Sequence, residues 1–254
     1  MSQVNKTYTI KEVVKNGKKY YLRFEKIDED YLVNEDQIVS YRLIKGNVLD
    51  QKTYKTLMTD VNNTVYYNKA LHFIDFKPRT KKEINEYLTK FQLDESTINK
   101  IIKKLEKIGF IDDERYANRY TEELIRKGKG KKAIYNLLIK KGIEQDLINE
   151  NLSKYEKDDE FANALRIAEK LVKPESDYPI KKQKMQLIEK LLREGYGQDA
   201  INYAMSNITF TDNSQERLIK EYEKLQDKNI EKEKIIARLL AKGYEYSDIK
   251  RILK

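Results

Sequence analysis

Leu191-Leu192-Arg193-Glu194-Gly195-Tyr196, followed by Ile201, recurs as Leu239-Leu240-Ala241-Lys242-Gly243-Tyr244 with Ile249, and as Leu138-Ile139-Lys140-Lys141-Gly142-Ile143 with Ile148. A Gly placed after an apolar, helix-spaced run is the residue that closes a helix in the left-handed conformation. Each copy therefore reads as a helix end, a tight turn and a second helix. A weaker first copy runs Leu88-Thr89-Lys90-Phe91-Gln92-Leu93 with Ile98, where Gln92 replaces the glycine. The markers lie 50, 53 and 48 residues apart, room for one helix ending at the marker, a second across the Ile, and a third before the next copy. Stripes at i, i+3, i+4 spacing (Ile134, Leu137, Leu138; Leu187, Ile188, Leu191, Leu192; Ile235, Ile236, Leu239, Leu240) put one face of each marker helix in a core.

Units of about fifty residues bury little surface alone, so stacking neighbours is the expected solution. The fold class expected is mostly α: tandem three-helix repeats in an elongated curved array, preceded by a small α+β domain. The division expected is 78–128, 129–178 and 179–229 for three repeats, with 230–254 as a fourth copy that stops after its second helix.

Ahead of Pro78 the pattern changes. Tyr8 to Val14 and Lys19 to Phe24 are β-branched and aromatic runs on either side of Asn16-Gly17, a hairpin signal. Tyr31 to Val33 is a third extended run, and Asn34 to Asp36 can cap a short helix over Gln37 to Tyr41. These make residues 1–49 an α+β domain. Tyr54, Leu57, Met58, Val61, Val65, Ala70, Leu71 and Ile74 are helical in spacing, giving a bridging helix within 50–77 that Lys77-Pro78 ends.

Of the 254 residues, 51 are Lys or Arg and 42 Asp or Glu, a formal charge of +9. There is no cysteine and one histidine, His72, which removes thiolate and Cys/His zinc chemistry and Cys/His nucleophile pairs. No apolar run approaches the ~20 residues of a spanning helix, and no charged-then-apolar leader follows Met1, so the chain reads as cytoplasmic. The charge is local: residues 1–77 carry +3, 78–141 carry +7 and 142–254 carry −1. Within 124–141 there are seven cations and no acid. Such a cluster steers an anionic partner.

The segment Gly109 to Ala133 holds the candidate site. Asp112 can cap a helix, with Asp113 and Glu114 in its first turn where the helix dipole favours anions. A nuclease would instead need those three carboxylates to converge on Mg²⁺, yet neighbours on a helix diverge by about 100°, so capping is the better reading. Arg115, Arg119 and Arg126 fall within about 40° of one another, away from a packed face of Tyr116, Tyr120 and Leu124. With Lys127, Lys129, Lys131 and Lys132 they are the candidate contacts for an anionic partner, Gly128 and Gly130 allowing close backbone approach. The competing reading ties Arg119 and Arg126 to Glu122 in surface pairs, and the sequence leaves both open. The Gly-Lys-Gly turn lacks the P-loop spacing, and His72 has no Ser, Asp or Glu placed by the sequence to orient it as a base. Tyr116, Tyr120, Tyr196 and Tyr244 sit at core or helix-end positions, where packing outweighs base stacking.

Ile111-Asp112-Asp113-Glu114-Arg115-Tyr116-Ala117, then Gly128-Lys129-Gly130, then tandem Leu-Leu-x-x-Gly-Tyr helix ends resemble the RecX regulatory proteins over about Pro78 to Lys254. The hairpin-containing N-terminal extension resembles longer versions of that family. The resemblance implies a non-enzymatic modulator, without metal or cofactor, of the bacterial recombinase RecA. It would lie monomerically in the groove of the RecA filament and restrain its ATPase, strand-exchange and co-protease activities in recombination, DNA repair and the SOS response. Single- or double-stranded DNA is a further implied partner. The alternative is a sequence-independent DNA-binding protein acting without a recombinase, since helix-Gly-helix turns also build helix-turn-helix modules.

Overall fold

The computed structural model describes residues 6–172, 178–210, 214–228 and 230–253. They divide into two compact units, Met1–Asp113 and Glu114–Lys254. The first begins with β1 (Tyr8–Asn16), β2 (Lys19–Phe24), β3 (Ile27–Val33), α1 (Glu35–Ser40) and β4 (Val48–Leu49). All pairs are antiparallel, in the order β3-β2-β1-β4. Asn16 pairs with Lys19, so the hairpin loop is Gly17-Lys18, one residue later than the Asn16-Gly17 reading. Gly17 alone takes the left-handed φ of +61°, the Gly-first arrangement that matches strand twist. The third extended run is the end of β3, and the two-residue β4 had no periodicity to show itself. Asn34 caps α1, its side chain accepting from Gln37 N while the Gln37 side chain accepts from Asn34 N.

Helix α2 (Gln51–Asp75) bridges as its spacing predicts. Leu57 and Val61 on its first half close a core with Ile10, Leu22, Phe24, Val33 and Leu49 from the sheet. Tyr54 stacks on Tyr8 with ring centroids 3.6 Å apart. Ala70 on its second half packs with Ile84 and Leu88 of α3 (Lys81–Thr89) and with Ile98, Ile101, Ile102 and Leu105 of α4 (Glu95–Lys107).

The second unit continues with α5 (Asp113–Arg126), α6 (Lys131–Lys141), α7 (Gln145–Ser153), α8 (Lys157–Leu171), α9 (Ile180–Arg193), α10 (Gln198–Asn207), α11 (Ser214–Gln226), α12 (Lys232–Ala241) and α13 (Tyr246–Ile252). The leading Leu of each marker (Leu88, Leu138, Leu191, Leu239) and its paired Ile are buried, whereas Leu192 and Leu240, next in line, turn outward at the margin of the stripe. The cores, however, group helices one step out of phase with the expected division. Ala117 and Leu124 of α5 pack with Ile134 and Leu138 of α6 and Ile148 of α7. In the same way α8 joins α9 and α10, and Leu218 of α11 joins α12 and α13. The long helix that precedes a marker helix thus shares its core, and the C-terminal group holds three helices where two were expected. Helix ends are marked locally, but the choice of packing partner is made by long-range burial.

The missing glycine of the first copy leaves the geometry unchanged. Gln92 itself adopts φ +57°, beside +80° at Gly142, +89° at Gly195 and +94° at Gly243. A Cβ in that region is strained by ~1–2 kcal/mol, more than the ~0.5–1 kcal/mol that extra unfolded-chain freedom costs a glycine. Gln92→Gly is therefore expected to stabilise the chain by about 0.5–1 kcal/mol, read as an increase in the denaturation midpoint.

Candidate partner-binding surface

Helix α5 buries Ala117, Thr121 and Leu124, with Tyr116 and Tyr120 half-buried at the margin of the core. The packed face is rotated from the expected Tyr116–Tyr120–Leu124 line because small residues let the neighbouring helix approach. One of the acids at its start, Asp113, holds the neighbouring helix. Asp112 immediately precedes the helix, and the Asp113 carboxylate accepts from Lys81 N at the start of α3, at 2.9 Å. Burial pushes Asp113 above its ordinary value of 3.8, against the opposing influence of Lys81. Among the described residues no group of three or more His, Cys, Asp or Glu is arranged to hold a metal ion. His72 is exposed on α2, with Asp75 Oδ2 at 3.9 Å. No helix of the described residues is long and apolar enough to cross a membrane.

The seven candidate cations meet different fates. Arg115, Arg119 and Arg126 are exposed on α5. Arg119 and Arg126 make no ion pair among the described residues, so the Glu122 pairing is not formed. Lys127 pairs with Glu123 one turn back, holding that carboxylate below its usual range. Lys129 reaches across to the end of α9, its Nζ 2.6 Å from Glu194 Oε2. The Lys131 ammonium stands 5.7 Å from the Tyr155 ring centroid, while Lys132 is exposed.

The backbone of this turn is engaged within the chain. Gly130 N donates to Glu194 O at 2.9 Å and Lys132 N to Gly195 O at 3.1 Å. Lys131 N donates to Glu160 Oε1 of α8 at 3.1 Å, and the buried Tyr196 hydroxyl donates to Gly128 O at 2.9 Å. Helix α6 has no side-chain cap of its own. Its N–H groups, which no intrahelical partner can satisfy, are met by the last carbonyls of α9 and by Glu160. The approach leaves no space for a side chain: a Cβ on Gly130 would stand 2.4 Å from Gly195 O, and one on Gly195 2.3 Å from Ala133 N. The close approach that these glycines permit is thus made by Gly195 and Tyr196 at Gly130 and by the Ile167 side chain at Gly128. Glu160 and Glu194, 29 and 65 residues away from their partners, could not be assigned to this turn from sequence spacing.

A second cationic stripe lies outside the 124–141 cluster. Lys100, Lys103, Lys104 and Lys107 on α4 follow i, i+3, i+4, i+7 spacing, so they share one face. All four are exposed and none makes an ion pair among the described residues. The spacing was a legible signal, diluted by Glu95 and Glu106 in any charge count. Glu106 is paired elsewhere, with Lys81 at 3.2 Å.

Known proteins share this architecture. A family profile described as RecX, second three-helix domain, matches residues 112–152, and one described as RecX, first three-helix domain, matches 67–105. Regulatory protein RecX of Staphylococcus carnosus is 30% identical over 256 residues, spanning 94% of this chain and 93% of that protein. The chain belongs to the RecX family. Regulatory protein RecX of Listeria monocytogenes is likewise 30% identical, covering 89% of each chain. A crystal structure of regulatory protein RecX, 23% identical, superposes with a TM-score of 0.66 over 79% of this chain and all of that one, which establishes the shared fold. The crystal structure of RecX from Lactobacillus salivarius, 28% identical, gives 0.52 over 57% of this chain and 94% of that one. The two profile spans coincide with the cores of α2–α4 and of α5–α7, so the RecX three-helix domain has the phase set by packing.

The Glu194 contacts carry a pH signature. Burial raises its pKa, but hydrogen bonds from Lys129 and Lys190 and their charges outweigh it and leave the carboxyl below its ordinary 4.5. A folded-state pKa below the unfolded one adds stability above the unfolded value, lost as pH falls through the folded value. Glu194→Gln is therefore expected to destabilise the chain by about 1–2 kcal/mol at pH 7, and by progressively less as urea titrations are repeated below pH 4.5.

Proposed function

We propose that this chain regulates the RecA recombinase by binding its filament on DNA, without catalysing a reaction of its own. The observation that carries the proposal is family membership across nearly the whole chain, with relatives named regulatory protein RecX. The finer reading is that the chain acts as a monomer in the cytoplasm, lies in the filament groove, and restrains ATPase, strand exchange and co-protease activity in recombination, DNA repair and the SOS response. Its mechanism is occupancy: a ligand that binds one filament state better shifts the equilibrium toward it by its differential affinity.

Arg119, Arg126 and Lys132 support a role for the α5–α6 region, because they are exposed cations outside any ion pair among the described residues. Free cations steer association with a polyanion, whereas paired ones have spent much of their field locally. Arg115, Lys127, Lys129 and Lys131 remain proposed contacts, with Lys129 divided between Glu194 and a partner. The alternative, DNA binding through a helix-turn-helix, would place α7 against phosphates. Its exposed residues and the one preceding it include Glu144, Asp146 and Glu150, which repel them.

The test is RecA ATPase on single-stranded DNA with substoichiometric protein, alongside binding to the same naked DNA. Inhibition is expected where naked DNA stays unbound; inhibition only on coated DNA would replace filament regulation by competition for DNA. Arg119→Ala, Arg126→Ala and Lys132→Ala together are expected to raise the inhibitory concentration by roughly tenfold, at about 0.5 kcal/mol per exposed cation. Unchanged inhibition would remove these residues from the interface.

A further inference from the structure

The tight joint between α6 and α9 has a counterpart one repeat further on, where the start of α9 meets the end of α12. Counted from the residue that caps each helix, Pro179 stands where Gly130 does, Ile180 where Lys131 does and Lys182 where Ala133 does. The facing glycine is Gly195 in the first joint and Gly243 in the second. The parts correspond, but the second joint is open. A Cβ on Gly195 would stand 2.4 Å from the Ala133 Cβ, whereas one on Gly243 would stand 3.2 Å from the Lys182 Cβ. No backbone hydrogen bond joins α9 to α12 among the described residues. Side chains bridge instead, Lys182 Nζ donating to Ala241 O at 3.3 Å and Lys181 pairing with Glu245 at 2.6 Å in an exposed position.

The residues that differ account for the gap. Pro179 has no N–H to give where Gly130 donates to Glu194 O. Lys182 sets a long side chain where Ala133 has a methyl group. A cleft of about 500 Å³ opens there, lined by Pro179, Ile180, Lys181 and Gly243 and by Glu216 and Leu218 of α11. In the first joint Glu160, near the start of α8 and 9% exposed, accepts from Lys131 N. Glu216, near the start of α11, is exposed on the cleft wall, and the Ile180 N–H has no acceptor among the described residues.

We infer that this joint is a hinge with a second, closed position, in which α11–α13 swing onto α9 and the Glu216 carboxylate accepts from Ile180 N as Glu160 does from Lys131 N. Helix α9 is the fixed side, because it shares a core with α8 and α10 and its far end is bonded to α6. The moving side has a core of its own, Leu218 with Ile235, Leu239 and Ile249, so it turns as one body. Closure satisfies helix donors and buries the cleft walls. Opening keeps Glu216 hydrated and relieves Lys182 of contact with Gly243. Opposed terms of this kind make an element with two positions, between which a partner selects by differential affinity. The last three-helix group thus adapts its position while α5–α10 hold one arrangement. No partner enters the argument, so it stands apart from the recombinase reading.

The chain has no cysteine, so introduced cysteine pairs carry spin labels at the chosen sites alone. Gln186→Cys with Lys220→Cys spans the open joint, and Asn136→Cys with Gln186→Cys spans the tight one; all three positions are exposed. Electron double resonance on the full chain is expected to give one narrow distance peak across the tight joint and a broad or two-peaked distribution across the open one. Equally narrow peaks would overturn the hinge. Pro179→Gly with Lys182→Ala gives the second joint the glycine and alanine of the first. That variant is expected to narrow the distribution to a single peak and to slow deuterium exchange at the Ile180 amide, followed by NMR, by at least about tenfold. Adding Glu216→Ala is expected to abolish the slowing. A double variant with wild-type distribution and exchange would overturn the closed position, as would protection that persists without Glu216. Since no recombinase is present, each of these outcomes is independent of the ATPase test.

Discussion

The second unit depends on one junction: the carbonyls that end α9 receive the N–H groups that begin α6. Helix ends leave several backbone groups unpaired, and burying them without partners costs as much as losing the hydrogen bonds themselves. Here the deficits are opposite in kind and cancel, through Gly130 N to Glu194 O and Lys132 N to Gly195 O. The opposed dipole ends also attract. The geometry requires glycine at both 130 and 195, where any Cβ would overlap backbone atoms of the facing segment. That requirement explains the Gly-Lys-Gly turn and the Gly-Tyr helix end as two halves of one contact. Tyr196 then seals it by donating to Gly128 O from a buried position, where desolvation raises its pKa.

The same junction decides which cations are available to a partner. Lys129 serves Glu194, and the backbone of Lys131 and Lys132 is occupied, so the densest cationic stretch of the sequence is partly a structural device. Surface ion pairs stabilise weakly, by ~0–1 kcal/mol, but they cancel field at a distance. Free charge resides on Arg119, Arg126 and Lys132 and on the four lysines of α4, none of which makes an ion pair among the described residues. Residues 124–141 stand out by charge per residue, whereas the α4 lysines stand out only by their spacing.

The sequence revealed most of the fold and less of the site, for a common physical reason. Helices announce themselves through local rules: the leading marker leucines, their left-handed caps and the α2 spacing all proved structural. Gln92 shows that the marker is a backbone conformation before it is a residue type, since it takes φ +57° without being glycine. Packing partners obey no local rule. Ala117 and Thr121, poor signals of a core in any hydropathy scan, are buried on α5 beside Leu124, and Ala117 and Leu124 share the core of α6 and α7. Likewise the hairpin turn was found to within one residue from its glycine, while β4 was silent because two residues have no period. In the candidate site the cations were legible, but Glu160 and Glu194 arrive from helices far along the chain.

Formal charge is consequently a poor guide to how such a regulator meets an anionic partner. A salt-dependent affinity counts the cations that release counterions on binding, and a lysine already held at 2.6 Å by a glutamate releases few. The +9 of the whole chain and the +7 of its middle block therefore mis-state the electrostatic contribution of each surface. What matters is the set of unpaired side chains that one helix face presents together. On that measure α4 offers four, in a helix whose opposite face is fully committed to Ile98, Ile101, Ile102 and Leu105. The apolar spacing that buries one side of α4 is what aligns the lysines on the other, so in this helix the fold and the charge track are consequences of the same period.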